Sequence, residues 1–183
     1  MLKETLFSVS PDLHNILIGS ILGDLHISKQ RNRNYARLIF AQGSINEIYL
    51  LYLYVLFKDF CGTGPLYSGL KPDKRTSKIY NRIKFSTYSL PCFNYYEDLS
   101  YVYSLKRIPW DIGDLLIPVG LAYWTMDDGS KKDSGFILCT NSYTFCEVEV
   151  LTKILKDNFE LDCSLHTYRK AGPGLGRGPG PAI

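Results

Sequence analysis

The 183-residue chain is 45% hydrophobic with a net charge of +3, which is enough apolar material for a sizeable core and excludes a disordered or collagen-like composition. No apolar run approaches the roughly 18 residues that cross a bilayer, so no membrane partner is expected, and Lys3, Glu4 and Asp12 make the start read as neither a signal peptide nor an Arg-rich, acid-poor transit sequence. Five cysteines, odd in number and without a C-x-x-C pair, favour neither a zinc site nor a disulfide framework and fit a reducing compartment.

Ser10-Pro11 supplies an N-cap and a first-turn proline, so a helix is expected from there to about Gly23. Gly19 and Gly23 lie four apart on one face, where another backbone could approach closely; the plain alternative for Gly23 is a C-cap beside an exposed Asp24. The segment Lys29, Arg31, Arg33 is polar and basic, and it leads into a strand from Tyr35 to Ala41 that includes Arg37. Ser44-Ile45-Asn46-Glu47 has the spacing of a capping box and opens a Tyr-rich helix to about Phe60. Residues 65–87 read as strands joined by a basic loop. There is no acid between Asp73 and Glu97, but there are Lys74, Arg75, Lys78, Arg82 and Lys84. Ile79 to Thr87 alternates, with Tyr80, Arg82, Lys84 and Ser86 on one face and Ile79, Asn81, Ile83 and Phe85 on the other. Such a face suits a phosphate backbone, although for one strand alone a solvated outer face is the commoner case.

Ser89-Leu90-Pro91 opens a further helix whose Tyr and Phe residues are expected in the core. Ile108-Pro109 and Ile117-Pro118 bracket a linker. The next helix, beginning at Pro118, ends in Leu121-Ala-Tyr-Trp-Thr-Met-Asp127-Asp128-Gly129. Two adjacent carboxylates at the end of an apolar helix require a compensating charge. Leu17-Ile-Gly-Ser-Ile-Leu-Gly-Asp24-Leu25 has the same plan a hundred residues earlier, and each copy is followed by a Ser/Lys loop, Ser28-Lys29 and Ser130-Lys131. After Asp128 come a strand from Phe136 to Thr140, a second capping box at Thr144-Phe-Cys-Glu147, a helix to about Phe159 and a strand from Leu161 to Lys170. The halves are an internal repeat. The organisation expected is a first repeat at 1–108, a second and shorter one at 109–170, and a Gly/Pro-rich tail at 171–183 that forms neither helix nor strand. The second half then lacks its last strands and final helix, as in a truncated or naturally short chain, unless another chain or the first half covers the open edge.

Two carboxylates brought together at negative helix C-termini repel unless a divalent cation sits between them. Oxygen-only donors, without His or Cys at metal spacing, suit Mg2+ or a similar hard ion such as Mn2+. With a basic sheet to hold phosphates, the chemistry is metal-assisted phosphodiester hydrolysis.

The two motif stretches resemble those of the LAGLIDADG homing endonucleases in their single-chain, two-motif branch. So do Thr140-Asn-Ser-Tyr-Thr-Phe145 and Glu147-Val-Glu149, and the likeness spans about residues 12–170. The second motif is highly specific; the first is degenerate, with Ser20 and Leu22 inside it, but keeps Gly19, Gly23 and Asp24. The resemblance implies an α+β fold of αββαββα repeats with the motif helices central and curved antiparallel sheets forming a saddle over double-stranded DNA, the second repeat being incomplete here. It implies metal at Asp24 and Asp128 with help from the carbonyls of Gly23 and Asp127, the Asp127 side chain standing behind or capping. It suggests Gln42 and Asn141 as polar residues on the neighbouring strands that orient water or metal, and a basic residue, Lys84 or else Arg82, near the scissile phosphate. Lys29, Arg31, Arg33, Arg37, Lys78, Arg82 and Lys84 are the DNA-binding candidates. The function implied is a monomeric, organellar enzyme, mitochondrial before plastid and made where it works, that cuts DNA for intron mobility. The rivals are a maturase acting on group I intron RNA, a non-catalytic DNA-binding protein on the same repeat, and an inactive relic; retention of both acids favours the nuclease.

Overall fold

The computed structural model describes residues 7–30, 34–69, 77, 81–132, 135–168 and 180–183. Arg31, Arg33 and Lys78 lie outside these, as does tail segment 171–179. The chain divides into two compact units, Met1–His14 with Asp24–Asp98 and Asn15–Gly23 with Leu99–Ile183. The first helix, α1 (Pro11–Leu22), starts where Ser10 and Pro11 place it, with the Leu13 amide donating to Ser10 Oγ at 3.3 Å.

The first unit then runs β1 (His26–Ser28), β2 (Arg37–Gly43), α2 (Glu47–Phe57), β3 (Leu66–Gly69), β4 (Asn81–Ser86) and α3 (Asn94–Ser100). Its strands form one antiparallel sheet in the order β1-β2-β4-β3. Alternation sends Leu38, Phe40 and Gln42 of β2 and Ile83 and Phe85 of β4 inward, on the side of the sheet that also buries Leu50, Leu53 and Phe57 of α2. The Phe40 ring stacks on Phe85 with centroids 4.7 Å apart and meets Phe57 at 5.1 Å. Each such side chain contributes about 1.5–3 kcal/mol on burial. Of the Tyr and Phe residues expected in the core of this helix, Phe93 and Tyr96 are buried, whereas Tyr95 is 49% exposed.

The capping box expected at Ser44 does not form. Ser44–Asn46 is a 3-10 turn without a side-chain cap bond, and the Glu47 carboxylate instead accepts from the Tyr67 hydroxyl on β3. A tertiary donor has displaced the local one. The Ser28 and Ser130-Lys131 "loops" are strand residues, because each motif helix passes almost directly into a hairpin.

The second unit holds β5 (Tyr101–Val102), β6 (Leu105–Lys106), α4 (Ile112–Leu115), α5 (Pro118–Asp128), β7 (Gly129–Lys132), β8 (Gly135–Leu138), α6 (Phe145–Phe159), β9 (His166–Tyr168) and β10 (Gly180–Ala182). The order α5-β7-β8-α6-β9-β10 repeats α1-β1-β2-α2-β3-β4, so the internal repeat is realised as mixed α and antiparallel β. The reading of the tail needs correction here. β10 pairs with β9, and Ile183 exchanges two backbone hydrogen bonds with Leu138 of β8, at 2.6 and 3.1 Å. Gly180–Ala182 is therefore a strand, against the expectation that the tail forms neither helix nor strand, and the residue after it bonds to β8. Gly and Pro weaken a strand without forbidding a short one whose remaining amides face a partner, and the side chain of Ile183 is buried.

The capping box at Thr144 does form. The Glu147 amide donates to Thr144 Oγ1 at 3.4 Å, and Glu147 Oε2 accepts from the Thr144 amide at 2.8 Å. The same carboxylate accepts from the Ile108 amide at 3.2 Å and from Arg107 Nη1 at 3.3 Å. Partial burial pushes its pKa up, but the hydrogen bonds from Thr144 and Ile108 and the Arg107 charge outweigh that and hold it below its ordinary 4.5. A depressed carboxylate adds stability that is complete above the unfolded value and is lost as pH falls through the folded one. The thermal midpoint is accordingly expected to drop below about pH 4.5 in the native chain, and the gap between it and Glu147→Gln to close over the same window. A gap that persists at lower pH would show that the charge is immaterial.

Among the described residues no helix is long and apolar enough to cross a membrane. None of the five cysteines is in a disulfide.

Candidate active site

The two motif helices meet through glycine. A Cβ built on Gly19 of α1 would lie 2.0 Å from the carbonyl oxygen of Gly120 on α5, and one on Gly120 would lie 3.2 Å from the Asn15 carbonyl. Such contact of backbone with backbone leaves no room for a side chain. One turn on, a Cβ at Gly23 would fall 2.5 Å from Cβ and 2.7 Å from Oδ2 of Asp127. Gly23 is thus the seat against which the Asp127 side chain packs.

The C-terminal end of α1 has donors for its last carbonyls. The Gly23 amide bonds to Gly19 O at 3.3 Å, and the Tyr143 hydroxyl lies 3.2 Å from both Ile21 O and Leu22 O. Lys106 Nζ donates to Gly23 O at 2.5 Å. Burial pushes the Tyr143 phenol far up, and the negative Asp128 nearby, then Tyr101 and Glu147, raise it further, so the hydroxyl keeps its proton and remains a donor. Tyr143→Phe is expected to cost about 1–3 kcal/mol, because it strands buried carbonyls without replacing their partner. A shift of the urea midpoint at unchanged slope measures it, and an unshifted midpoint would remove Tyr143 from the account.

Asp24 follows Gly23 directly and is exposed. Its Oδ2 accepts from Gln42 Nε2 at 3.1 Å, and Gln42 Oε1 accepts in turn from Asn46 Nδ2 at 3.2 Å. The Asn46 bond fixes which way the Gln42 amide points, so that it donates to the carboxylate. Gln42 is 6% exposed, which is unusual for a polar side chain and marks it as held in place. Asp128 ends α5 half-buried, and its carbonyl accepts from the Cys139 amide at 3.0 Å.

Asn141 is not on the strand where it was expected. It lies exposed in the turn after β8, whereas by hairpin register the position matching Gln42 is Thr140, 1% exposed. Period-2 counting across a hairpin whose loop length is unknown is one residue uncertain, and one residue exchanges the faces.

Lys84 and Arg82 are exposed on the outer face of the first unit's sheet, opposite to Gln42. Lys84 is in register with Ala41 and Leu66, and Arg82 with Gly43 and Ser68. Arg37, Ile39, Leu66, Lys84 and Ser86 line a shallow groove of about 220 Å³ there. His26, Ser28 and Ser68 share this face by alternation, so among the described residues it is basic and hydroxyl-bearing without an acid. Lys29 forms a 3.8 Å ion pair with Glu97. Lys106 is the residue that sequence reasoning missed. A Lys-Arg pair before the linker was its only trace, and nothing in that spacing places an ammonium on the Gly23 carbonyl.

Among the described residues no group of three or more His, Cys, Asp or Glu could hold a metal ion. A metal at either motif would therefore rest on one carboxylate, backbone carbonyls and water. That donor set fits Mg2+, which keeps several waters and takes one or two carboxylates. The Lys106 ammonium on Gly23 O shows that the end of α1 accepts positive charge.

The sequence profile of the LAGLIDADG DNA endonuclease family matches residues 14–175. The chain is 34% identical over 160 residues to a cytochrome b mRNA maturase bI2 of Debaryomyces hansenii, an alignment covering 85% of this chain and 60% of that protein. It is 28% identical over 172 residues to the DNA endonuclease I-ChuI of Chlamydomonas applanata, covering 86% and 78%. Its fold superposes on the homing endonuclease I-WcaI, solved bound to its DNA recognition sequence, with a TM-score of 0.84 at 25% identity, covering 99% of this chain and 79% of that one. The chain thus spans about 60% of the length of the Debaryomyces relative and 37% of a Saccharomyces cerevisiae bI2 maturase. With the paired glycine helices, an acid ending each motif and the repeated αββαββ order, the match over 14–175 means that this chain belongs to the LAGLIDADG DNA endonuclease family.

Proposed function

We propose that the chain is a site-specific endonuclease that makes double-strand breaks in DNA for intron mobility. The observation that carries this reading is the held Asp24: a motif carboxylate at the end of a glycine-locked helix, oriented by a buried Gln42. Asp24 and Asp128, with the carbonyl of Asp127 and, once the Lys106 ammonium has left it for phosphate, that of Gly23, would hold Mg2+ or Mn2+. Such an ion, when bound, lowers the pKa of water and neutralises charge building on the phosphate.

The protein's own groups do the positioning. Gln42 fixes the Asp24 carboxylate, and Asn46 fixes Gln42. Asn141, from its turn, and Thr140 are the second motif's polar neighbours. Asp127 seats against Gly23 and keeps the end of α1 in register with α5. Lys106 is better placed than Lys84 to face the scissile phosphate, since its ammonium already reaches the carbonyl preceding Asp24; Lys84 serves as a phosphate contact. Arg37, Arg82, Lys84 and Lys29, with Arg31, Arg33 and Lys78, bind the duplex backbone. The enzyme acts as a monomer in an organelle, the mitochondrion before the plastid, in keeping with relatives named for cytochrome b mRNA.

Those same relatives favour a second reading, a maturase acting on group I intron RNA. Incubating the purified chain with a library of intronless duplexes, in Mg2+ and in EDTA, decides between them. Mg2+-dependent cutting at one sequence is expected. A folded chain that cuts nothing yet promotes splicing of intron RNA would replace the nuclease by the maturase.

A further inference from the structure

Next to the candidate active site the sequence breaks a rule of turn chemistry. β5 and β6 form a hairpin, Tyr101 opposite Lys106 and Val102 opposite Leu105, closed by Tyr103 and Ser104 alone. Both turn residues have positive φ, 50° and 64°. Two-residue turns of this kind favour Asn-Gly, and a bulky aromatic at positive φ is strained. The ring gains nothing inside the protein to offset that strain, for Tyr103 is 96% exposed, with Val102 and Leu105 beside it at 50% and 61%.

The base of the hairpin is held on three sides. The Arg107 amide bonds to Ser100 O at 2.8 Å, Lys106 Nζ reaches Gly23 O at 2.5 Å, and Glu147 accepts from Arg107 and Ile108. The result is an exposed aromatic on a strained tip, aimed by a rigid base whose Lys106 touches the residue before Asp24. A strained, exposed side chain on a fixed support is the arrangement expected of a group whose partner comes from outside.

We infer that the β5–β6 hairpin is a DNA-engaging wedge whose Tyr103 ring packs against the bases of the duplex beside the cleaved phosphates, making Tyr103 a positioning residue for cleavage. The inference rests on the nuclease reading. Duplex DNA is the partner of choice because the tip continues from Lys106, and because apolar wedges on minor-groove proteins act by partly unstacking base steps. Tyr103 offers a π-face that any base accepts, with Val102 and Leu105 as apolar shoulders.

The test compares the full chain with Tyr103→Gly and Tyr103→Phe on the duplex recovered from the library, with 2-aminopurine placed in turn at the central base steps. Glycine relieves the positive φ, so the thermal midpoint of Tyr103→Gly is expected to stay or rise, while single-turnover cutting falls about tenfold, the scale of one lost aromatic–base contact. The 2-aminopurine signal should rise on binding of the native chain and of Tyr103→Phe and stay flat with Tyr103→Gly. A midpoint that falls in both variants would make the ring structural and overturn the inference. So would a Tyr103→Gly chain that cuts and brightens the probe like the native one, with the nuclease reading left intact. A native chain that binds no duplex, either the recovered one or a random 30-base-pair one, overturns both together.

Discussion

Gly19→Ala is expected to destabilise the chain by at least about 3 kcal/mol, the upper end of what overpacking a core costs and a large share of the 5–15 kcal/mol by which domains are stable. Two effects oppose each other. Alanine is the better helix former by about 1 kcal/mol, and in an exposed helix it would win. Here the added methyl would sit 2.0 Å from the carbonyl oxygen of Gly120, a backbone atom that cannot swing aside as a side chain could. Relief means parting α1 from α5 by roughly an ångström along the seam, which forfeits a quarter to half of each contact it opens. Ile18, Ile21 and Trp124 are among the residues buried on these two helices. Gly120→Ala meets nothing nearer than Leu116 Cδ1 at 3.1 Å, the Asn15 carbonyl at 3.2 Å and the Gly19 amide nitrogen at 3.6 Å, so a smaller loss is expected. Urea unfolding of the two variants side by side gives the ranking. Equal midpoints, or Gly120→Ala as the worse, would mean that the helices do not cross at Gly19.

The glycine spacing that announces this seam was legible because its cause is local and periodic. A residue every four along a helix marks one face, and a missing side chain on that face has few uses besides close approach. The motif acids, the repeat and the Thr144 capping box were legible for the same reason. What failed were features decided by partners distant in sequence. Ser44 has the same box spacing as Thr144, yet Tyr67 draws off its Glu47, and no count along the chain reveals a donor arriving from another strand. The tail's composition argues against a strand, but an unpaired edge at β8 and β9 supplies hydrogen bonds that composition cannot weigh. Asn141 and Thr140 are one residue apart and on opposite sides of being buried, and only the hairpin register separates them. Lys106 was illegible for a simpler reason: its carbonyl partner lies 83 residues away.

Asp24→Asn should all but abolish cutting while leaving the fold, and Asp128→Asn should do the same. Asparagine keeps the shape of the side chain and an oxygen that can accept from Gln42 Nε2, now 3.1 Å from Oδ2, so the melting midpoint is expected to move little. What disappears is one unit of negative charge where, on the proposed nuclease reading, a cation would be held against phosphate. Losing a single group that stabilises developing charge costs on the order of a hundred- to a thousandfold in rate, and a lost metal ligand should reach at least the upper figure. DNA affinity measured in EDTA should move the other way. A carboxylate facing a polyanion repels it, so its removal should leave binding unchanged or tighten it. Opposite signs for rate and affinity separate a catalytic loss from damage to the fold, which would lower both. Lys106→Ala tested beside Lys84→Ala then assigns the basic residue: the larger fall in single-turnover rate is expected at Lys106, and the larger fall in affinity at Lys84. Either Asp variant cutting at the native rate would end the two-acid mechanism, and a rate loss confined to Lys84 would return the basic role to the outer sheet face.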